Sequence, residues 1–183
     1  METGLSDSVV LVTGGAGGIG ESICRAFASE GAKVIVHYHE SSDNAEKIAN
    51  EIDGFSIKAD LRDSSQALSL IDTIVDTYGK LDICIANAGY YPPESKPIWD
   101  IDIERWNQTI SSNLDVAVNT ARGFLREASR TGSGSLVFVG STAGIYGESG
   151  HSDYAAAKGA ITSGLLMSVK NDVSILGNVL SLI

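Results

Sequence analysis

Residues 9–20 read VVLVTGGAGGIG, an apolar and largely β-branched run that passes directly into glycines. A continuous apolar run of this kind is typical of a strand buried on both faces of a parallel sheet. The spacing of residues 18–30 predicts a helix immediately after it. Glycines between a strand and a helix let the backbone approach a pyrophosphate, which the free N–H groups of the helix N-terminus can bind. The stretch therefore predicts a dinucleotide site.

The same alternation continues along the whole chain. Strand-like runs recur at residues 32–38, 55–59, 81–87, 135–141 and 178–183, and helical segments lie between them at about 42–52, 64–78, 102–130 and 152–170, with Ser64 and Ser152 as expected N-caps. Alternating strands and helices predict right-handed βαβ units. The fold class is α/β, a Rossmann-type doubly wound parallel sheet with helices on both faces, as a single domain over residues 1–183. Because the chain ends on a strand-like run, we expect it to be truncated at its C-terminal end.

Composition and charge narrow the range of partners. The chain has 183 residues with 13 Lys and Arg against 23 Asp and Glu, a net charge of −10 that disfavours binding to nucleic acid or an anionic membrane. It contains neither a secretory signal pattern nor an apolar run of about 18 residues. Cys24 and Cys84 are isolated thiols in apolar segments, which indicates packing rather than a disulfide. We expect a cytoplasmic protein without a metal site.

The glycines after the first strand can be aligned in two registers. They fit Gly14-x-x-x-Gly18-x-Gly20 and equally Gly15-x-Gly17-x-x-Gly20, and the glycines alone do not decide between the two. Either register predicts dinucleotide binding, and neither predicts catalysis.

The end of the second strand bears on the choice of dinucleotide. Residues 37–42 read HYHESS, at the place where such folds bind the adenosine ribose. Glu40 favours NAD, since a carboxylate binds the two ribose hydroxyls, whereas His39 with Ser41 and Ser42 favours the NADP phosphate. The alternative interpretation places both histidines, at 37 and 39, as exposed residues of a strand end.

A pair of side chains on the helix at 152–170 has the chemistry of an acid/base catalyst. Tyr154 and Lys158 stand at positions i and i+4, so they share one helical face. An ammonium beside a phenol favours the phenolate and brings the pKa of the phenol toward working pH. Ser141 follows the preceding strand, whose carboxyl end faces the ligand crevice. It either donates a hydrogen bond to a substrate oxygen or simply forms a turn.

Together these motifs resemble the short-chain dehydrogenase/reductase family. The glycine stretch matches its Thr-Gly-x-x-x-Gly-x-Gly pattern, which sets the register on Gly14, Gly18 and Gly20. Residues 86–89, ANAG, match the family's Asn-Asn-Ala-Gly motif except at Ala86, a departure that affects sheet stabilisation more than chemistry. The resemblance covers essentially the whole chain.

The resemblance also implies a catalytic tetrad, which matches Asn113, Ser141, Tyr154 and Lys158 in order and spacing. Tyr154 would exchange the proton with the substrate oxygen, and Ser141 would position that oxygen. Lys158 would tune Tyr154 and bind the nicotinamide ribose, while Asn113 would hold a water that links Lys158 to solvent.

The cofactor implied by the resemblance is NAD(P). Its expected contacts are Tyr154 and Lys158 together with Gly14, Gly18, Ile19, Gly20, Tyr38, His39, Asp60, Leu61, Asn87, Ala88 and Gly89. In the family, Tyr38 occupies the place of the aspartate that selects NAD, while Gly17 stands where many NADP enzymes have a basic residue. We expect a slight preference for NADP.

The activity implied is hydride transfer between NAD(P) and a secondary alcohol or ketone. A sugar, another secondary alcohol or ketone and a carrier-bound 3-oxoacyl group all stay open as substrates. A non-catalytic dinucleotide-binding sensor and a structural subunit are the alternatives from other classes, and the intact tetrad argues against the sensor. Because the family commonly packs its long helices into dimers and tetramers, we expect a homo-oligomer.

Aromatic and apolar residues flank the predicted crevice. Tyr90, Tyr91, Ile145, Tyr146 and His151 are interpreted as loop-packing residues in preference to substrate contacts. We assign Trp99 and Trp106 to packing near the helix at 102–130.

Overall fold

The structure, a computed structural model, describes residues 3–172 and 178–182. Over this part of the chain a parallel sheet has the order β3-β2-β1-β4-β5-β6. The strands are β1 (Val9–Val12), β2 (Lys33–Tyr38), β3 (Phe55–Lys58), β4 (Ile83–Ala86), β5 (Ser135–Val139) and β6 (Asn178–Leu182). The predicted Rossmann-type fold is confirmed. Residue 183 of the last predicted strand lies outside the described residues.

Helices connect the strands and cover both faces of the sheet. They are α1 (Gly18–Ser29), α2 (Ser42–Glu51), α3 (Ser64–Tyr78), α4 (Ile103–Ile110), α5 (Val116–Thr131), α6 (Ala143–Tyr146), α7 (Ser152–Gly159) and α8 (Leu166–Asp172). None of the helices in the described part of the chain is long and apolar enough to cross a membrane.

The core consists of two layers separated by the sheet. All four residues of β1 are buried, and successive side chains point to opposite faces. Val9 and Leu11 pack in the layer that contains α3 and α5, whereas Val10 and Val12 pack in the layer with α1 and α2. Burial on both faces explains why β1 is a continuous apolar run instead of an alternating one.

The functional crevice lies where the strand order reverses. Strand β1 pairs with β2 on one side and with β4 on the other. The connection after β1 leads to β2, whereas the connection after β4 leads in the opposite direction to β5. In open α/β sheets ligands bind at such a switch point, outside the carboxyl ends of the strands. The loops after β1, β2, β3 and β4 therefore surround the site.

Two predicted helices are interrupted by π-helical turns. The segment predicted at 102–130 consists of α4, a π turn at Ser111–Asp115 and α5. The segment at 152–170 is α7 followed by a π turn at Ala160–Leu165 and then α8. The sequence did not reveal these widened turns, because one extra residue in a turn has no strong residue signature.

The predicted N-caps are both wrong. Asp63 caps α3, because its carboxylate accepts a hydrogen bond from the Ser65 N–H, and Ser64 is the first helical residue. His151 precedes α7, so Ser152 is likewise inside its helix. In both cases the preceding residue occupies the cap position, while the predicted first helical residues, 64 and 152, agree with the structure.

Candidate active site

A cavity of about 610 Å³ opens at the carboxyl edge of the sheet. It is bounded by the glycine turn after β1, the ends of β2 and β3, the loop after β4 and the first residues around α5. Every predicted cofactor contact other than Tyr154 and Lys158 lines it: Gly14, Gly18, Ile19, Gly20, Tyr38, His39, Asp60, Leu61, Asn87, Ala88 and Gly89.

The three motif glycines differ in how strictly the conformation of the turn requires glycine. Gly14 has a φ of +63°, a region that side chains rarely adopt. A Cβ on Gly20 would lie 2.2 Å from the Gly14 carbonyl oxygen, so the turn closes only if residue 20 is glycine. A Cβ on Gly18 would meet nothing within 4 Å. Gly14 and Gly20 thus shape the turn, whereas Gly18 leaves open space beside the start of α1.

His37 supports the glycine turn from below. Its Nδ1 accepts a hydrogen bond from the Gly14 N–H at 3.1 Å, so Nε2 carries the proton and donates to the Ala59 carbonyl at 3.1 Å. The residue is 2% exposed, and burial lowers the pKa of the imidazole to about 4. The interpretation of His37 as an exposed strand-end residue is therefore wrong, since both faces of β2 are covered.

Charged side chains of both signs cluster where the adenosine end of a dinucleotide is expected. Arg62 Nη2 donates to Asp60 at 2.7 Å, and its Nε contacts both carboxylate oxygens. The hydrogen bonds from Arg62 hold the pKa of Asp60 at about 2. His39 lies 3.7 Å from both Asp60 and Glu40, with its side chain 42% exposed. The sequence analysis missed Arg62, although a basic residue two positions after Asp60 could have identified it.

Asn87 ties the end of β4 to the glycine turn. Its amide Nδ2 donates to the carbonyls of Thr13, at 2.9 Å, and Gly14, at 3.2 Å. The Thr13 hydroxyl in turn accepts hydrogen bonds from the N–H groups of Asn87 and Ala88, both at 3.0 Å. Ala86, where the family motif has asparagine, is packed in the core.

Asn113 and Lys158 converge on Gly89. A Cβ on Gly89 would lie 2.7 Å from Asn113 Oδ1 and 3.6 Å from Lys158 Nζ. Lys158 Nζ donates to the Val139 carbonyl at 3.0 Å and stands 5.8 Å from the centre of the Tyr154 ring. Burial lowers the pKa of its ammonium. Asn113 lies in the π turn before α5, so the widened turn carries one predicted catalytic residue toward two others.

Ser141 follows β5 in a turn that packs directly on α7. Its Oγ accepts a hydrogen bond from the Ala143 N–H at 3.2 Å. A Cβ on Gly144 would lie 2.6 Å from the carbonyl carbon of Lys158, which shows how closely this turn approaches the helix. The Ser141 hydroxyl proton stays available for donation, so turn formation and substrate contact are compatible.

Aromatic side chains surround the Tyr154 ring on one side. Tyr91 stacks on His151 with ring centres 4.6 Å apart and meets the Tyr154 ring edge-on at 5.0 Å. The Tyr91 hydroxyl donates to Glu148 at 2.7 Å, and this carboxylate raises the pKa of Tyr91. Loop packing is thus confirmed for His151, which is buried. Tyr91 packs in the same cluster and also keeps 48% of its surface exposed beside Tyr154.

Other sequence assignments have mixed outcomes. Trp99 is 81% exposed, so its assignment to packing is wrong: it lies on a short 3₁₀ turn that ends before α4 begins. Cys24 and Cys84 are buried free thiols, as predicted. Burial raises the pKa of Cys24 to about 12 and also raises that of Cys84, so neither thiol has nucleophilic character.

The geometry combines two chemical capabilities in one crevice. The glycine turn and the N-terminus of α1 offer backbone N–H groups to an anion, as in sites that bind a pyrophosphate. Across the crevice, a phenol lies beside a buried ammonium, an arrangement suited to transfer of a proton.

Comparison with known proteins identifies relatives of the chain. Residues 8–177 match the family described as short chain dehydrogenase. Cis-4-hydroxycyclohexanecarboxylate dehydrogenase of Sinomonas cyclohexanicum is 29% identical over 89% of this chain and 66% of that protein. The 3-oxoacyl-[acyl-carrier-protein] reductase FabG of Staphylococcus aureus is 30% identical over 90% of this chain and 68% of its own length. The chain thus spans about two thirds of the length of these curated relatives.

A solved structure shows the same fold. The crystal structure of a short chain dehydrogenase from Mycobacterium avium superimposes with a TM-score of 0.85 at 30% identity. The match covers 96% of this chain and 68% of that one.

Proposed function

The chain belongs to the short chain dehydrogenase family, and from this premise we propose that it transfers a hydride between NAD(P) and a secondary alcohol or ketone. One observation carries the proposal. The dinucleotide-sized cavity reaches Gly89, where Asn113 and Lys158 converge, and Lys158 Nζ lies 5.8 Å from the Tyr154 ring centre. A cofactor site and an acid/base pair therefore adjoin.

The residues present fit a bound dinucleotide. The open space at Gly18 and the N–H groups at the start of α1 suit the pyrophosphate. Asp60 and Leu61 would contact the adenine, and the stretch 87–89 would pass beneath the nicotinamide half. Lys158 would bind the nicotinamide ribose. When bound, the nicotinamide supplies or accepts the hydride.

Tyr154 is the proposed general acid and base. In reduction its phenol donates a proton to the carbonyl oxygen of the substrate, and in oxidation the phenolate takes the hydroxyl proton. Lys158 places a buried cation 5.8 Å from the centre of the Tyr154 ring, next to the group that exchanges the proton. Ser141 donates its hydroxyl proton to the same substrate oxygen and so orients it. Asn113 holds a water that connects Lys158 to solvent.

A preference for NADP is part of the proposal. Tyr38 lines the cavity without offering a carboxylate, and His39 and Arg62 lie beside it as partners for a phosphate. Asp60 and Glu40 oppose this preference, since their carboxylates compete with a phosphate for Arg62 and His39. Titration of Arg62→Ala with NADPH and NADH tests whether Arg62 binds the phosphate that distinguishes the two cofactors. We expect the variant to weaken NADPH binding more than NADH binding, and equal losses would remove Arg62 as a phosphate contact.

The experiment that tests the activity is Tyr154→Phe in the full-length protein, screened with both cofactors against alcohols, sugars and keto compounds. We expect turnover to fall by about 10² to 10⁴ while the dinucleotide Kd stays nearly unchanged. Tyr78→Phe, at the end of α3, is the matched control and should retain turnover. If Tyr154→Phe keeps normal turnover, the assignment of Tyr154 as the acid/base fails. If the unsubstituted protein binds a dinucleotide but turns over none of these compounds, a dinucleotide-binding sensor becomes the better account.

Assembly is a separate prediction. The homo-oligomer implied by the family resemblance stays a prediction, and light scattering of the full-length protein would determine whether it is a dimer or a tetramer.

A further inference from the structure

A buried ion pair anchors the beginning of the catalytic helix. Asp153, which precedes Tyr154, is fully buried, and Arg105 reaches it from α4 with only 12% of its side chain exposed. Arg105 Nε donates to Asp153 Oδ2 at 2.9 Å and Nη2 donates to Oδ1 at 3.3 Å. Burial opposes ionisation of Asp153, but hydrogen bonds from Arg105 and Thr109 lower the pKa of its carboxyl group. The pair is therefore charged and bidentate.

The same guanidinium joins the two loops that flank the crevice. Arg105 Nη1 donates to the Glu94 carbonyl at 2.7 Å, in the loop after β4, and Nη2 contacts the Gly150 carbonyl at 3.3 Å, just before α7. The Lys96 N–H also donates to the Gly150 carbonyl, at 2.9 Å. A Cβ on Gly150 would lie 1.8 Å from Ser95 Oγ, so the loops are in direct contact. Arg105 occupies their junction.

Thr109 extends this network to Asn113. Its hydroxyl donates to Asp153 Oδ2 at 2.9 Å, and its carbonyl accepts from Asn113 Nδ2, also at 2.9 Å. A second hydrogen bond from Asn113 Nδ2 reaches the Tyr90 carbonyl at 2.8 Å. Asp153, the residue next to Tyr154, is thus connected with Asn113 through one intervening residue, Thr109.

We infer that Arg105 and Asp153 are a positioning pair that sets Tyr154 relative to Asn113 and the loop at 90–96 during turnover. The inference rests on the proposed role of Tyr154. Neither residue lines the dinucleotide cavity, so they act on the position of the phenol and leave the cofactor site alone. A bidentate pair with a third donor fixes both the distance and the orientation of a helix end, which a single hydrogen bond does not.

The position of an acid/base group matters more to rate than to binding. A displacement of about 1 Å in a reacting group can cost about 10²-fold in rate. A residue that only stabilised the fold would lower the melting temperature and the fraction of folded enzyme, with little change in the turnover of each folded molecule. Turnover per cofactor-binding site is therefore the quantity that separates the two roles.

The test uses Arg105→Ala in the full-length enzyme, with sites counted by dinucleotide titration. We expect kcat per site to fall by about 10- to 100-fold while the dinucleotide Kd stays within about twofold. Added guanidinium should restore part of kcat, because it can occupy the vacated space and pair with Asp153. Arg105→Lys keeps the charge without the bidentate geometry, so its kcat per site should lie between those of the wild type and Arg105→Ala.

Arg126→Ala is the matched control, since Arg126 pairs with Asp72 on the surface with side chains 50% and 56% exposed, and it should leave kcat unchanged. If Arg105→Ala does not fold, Thr109→Val removes one donor to Asp153 and should lower kcat per site by about threefold to tenfold. Unchanged kcat per site overturns the inference, as does a parallel loss of kcat and dinucleotide affinity. If Tyr154→Phe itself retains turnover, the proposed role of Tyr154 fails instead.

Discussion

The glycine turn after β1 and the start of α7 are built in different ways from different parts of the chain. The turn is held by backbone geometry: Gly20 must lack a Cβ, and Gly14 has a positive φ. The start of α7 is held by side chains from distant segments, with Arg105 and Asp153 separated by 48 positions. The turn therefore depends first on the absence of side chains at Gly14 and Gly20, with His37 and Asn87 as supports, whereas the start of α7 depends on the side chains that meet there.

This difference predicts how each region fails. A substitution at Gly20 forces a clash that no neighbour can relieve, because the obstructing atoms are backbone. A substitution near α7 removes hydrogen bonds and leaves a buried charge uncompensated, which moves the helix end without blocking it. Loss of the fold or of binding is expected from the turn, and loss of rate from the helix.

Gly20→Ala is expected to have the largest effect. Its methyl group would lie 2.2 Å from the Gly14 carbonyl oxygen, so the turn must open. We expect a loss of about 3 kcal/mol in the free energy of unfolding and of measurable dinucleotide binding. Urea denaturation tests this. Gly18→Ala is the internal comparison, since its added methyl meets nothing within 4 Å, and equal stability losses for the two variants would contradict the assignment.

Lys158→Met is expected to have the next largest effect, and this effect is on turnover. Removing the ammonium beside Tyr154 should lower turnover by about 10²-fold and also weaken dinucleotide binding through the lost ribose contact. Methionine at this position removes a charge that burial disfavours, but it also removes the hydrogen bond to the Val139 carbonyl, so the two effects on stability oppose each other. Lys47→Met, exposed on α2, provides the control. Normal turnover in Lys158→Met would separate Lys158 from the chemistry.

His37 should make the stability of the turn side dependent on pH. Burial lowers its pKa from 6.5 to about 4, so the unfolded chain takes up a proton first as the pH falls. The contribution is complete above about pH 6.5 and is lost as the pH falls toward about 4, roughly 2 kcal/mol between pH 7 and pH 5. Chemical denaturation across this range should show a flatter profile for His37→Gln. Identical slopes for the wild type and His37→Gln would refute the assignment.

Gly18→Val is expected to have the smallest effect. It separates the role of the glycine turn in dinucleotide binding from its role in folding. The fold has room for the side chain, whereas a bound pyrophosphate would compete for the same space. We expect dinucleotide affinity to fall by about tenfold, or about 1.4 kcal/mol, with the melting temperature nearly unchanged. Fluorescence titration of the reduced cofactor measures it. Wild-type affinity would show that the pyrophosphate lies elsewhere.

Prediction from sequence was most successful where the determinant is local. Residues 9–20 identified the strand, turn and helix, because burial on both faces and a required absence of side chains leave direct marks in the order of residues. It was less successful at helix ends and turns: Asp63 caps α3 in place of Ser64, and the π turn that carries Asn113 was not foreseen. Small shifts in backbone geometry have no strong residue signature.

The sequence by itself determined the α/β fold, the parallel sheet and the stretches that meet at its carboxyl edge, because periodic burial and glycine requirements act within a few residues. Only the tertiary structure decided that His37 lies beneath Gly14 and that Arg62 pairs with Asp60 beside the cavity. It alone joined Arg105 to Asp153. These contacts depend on how the strands and helices bring side chains together in space, and a side chain's identity does not specify which partner it will meet.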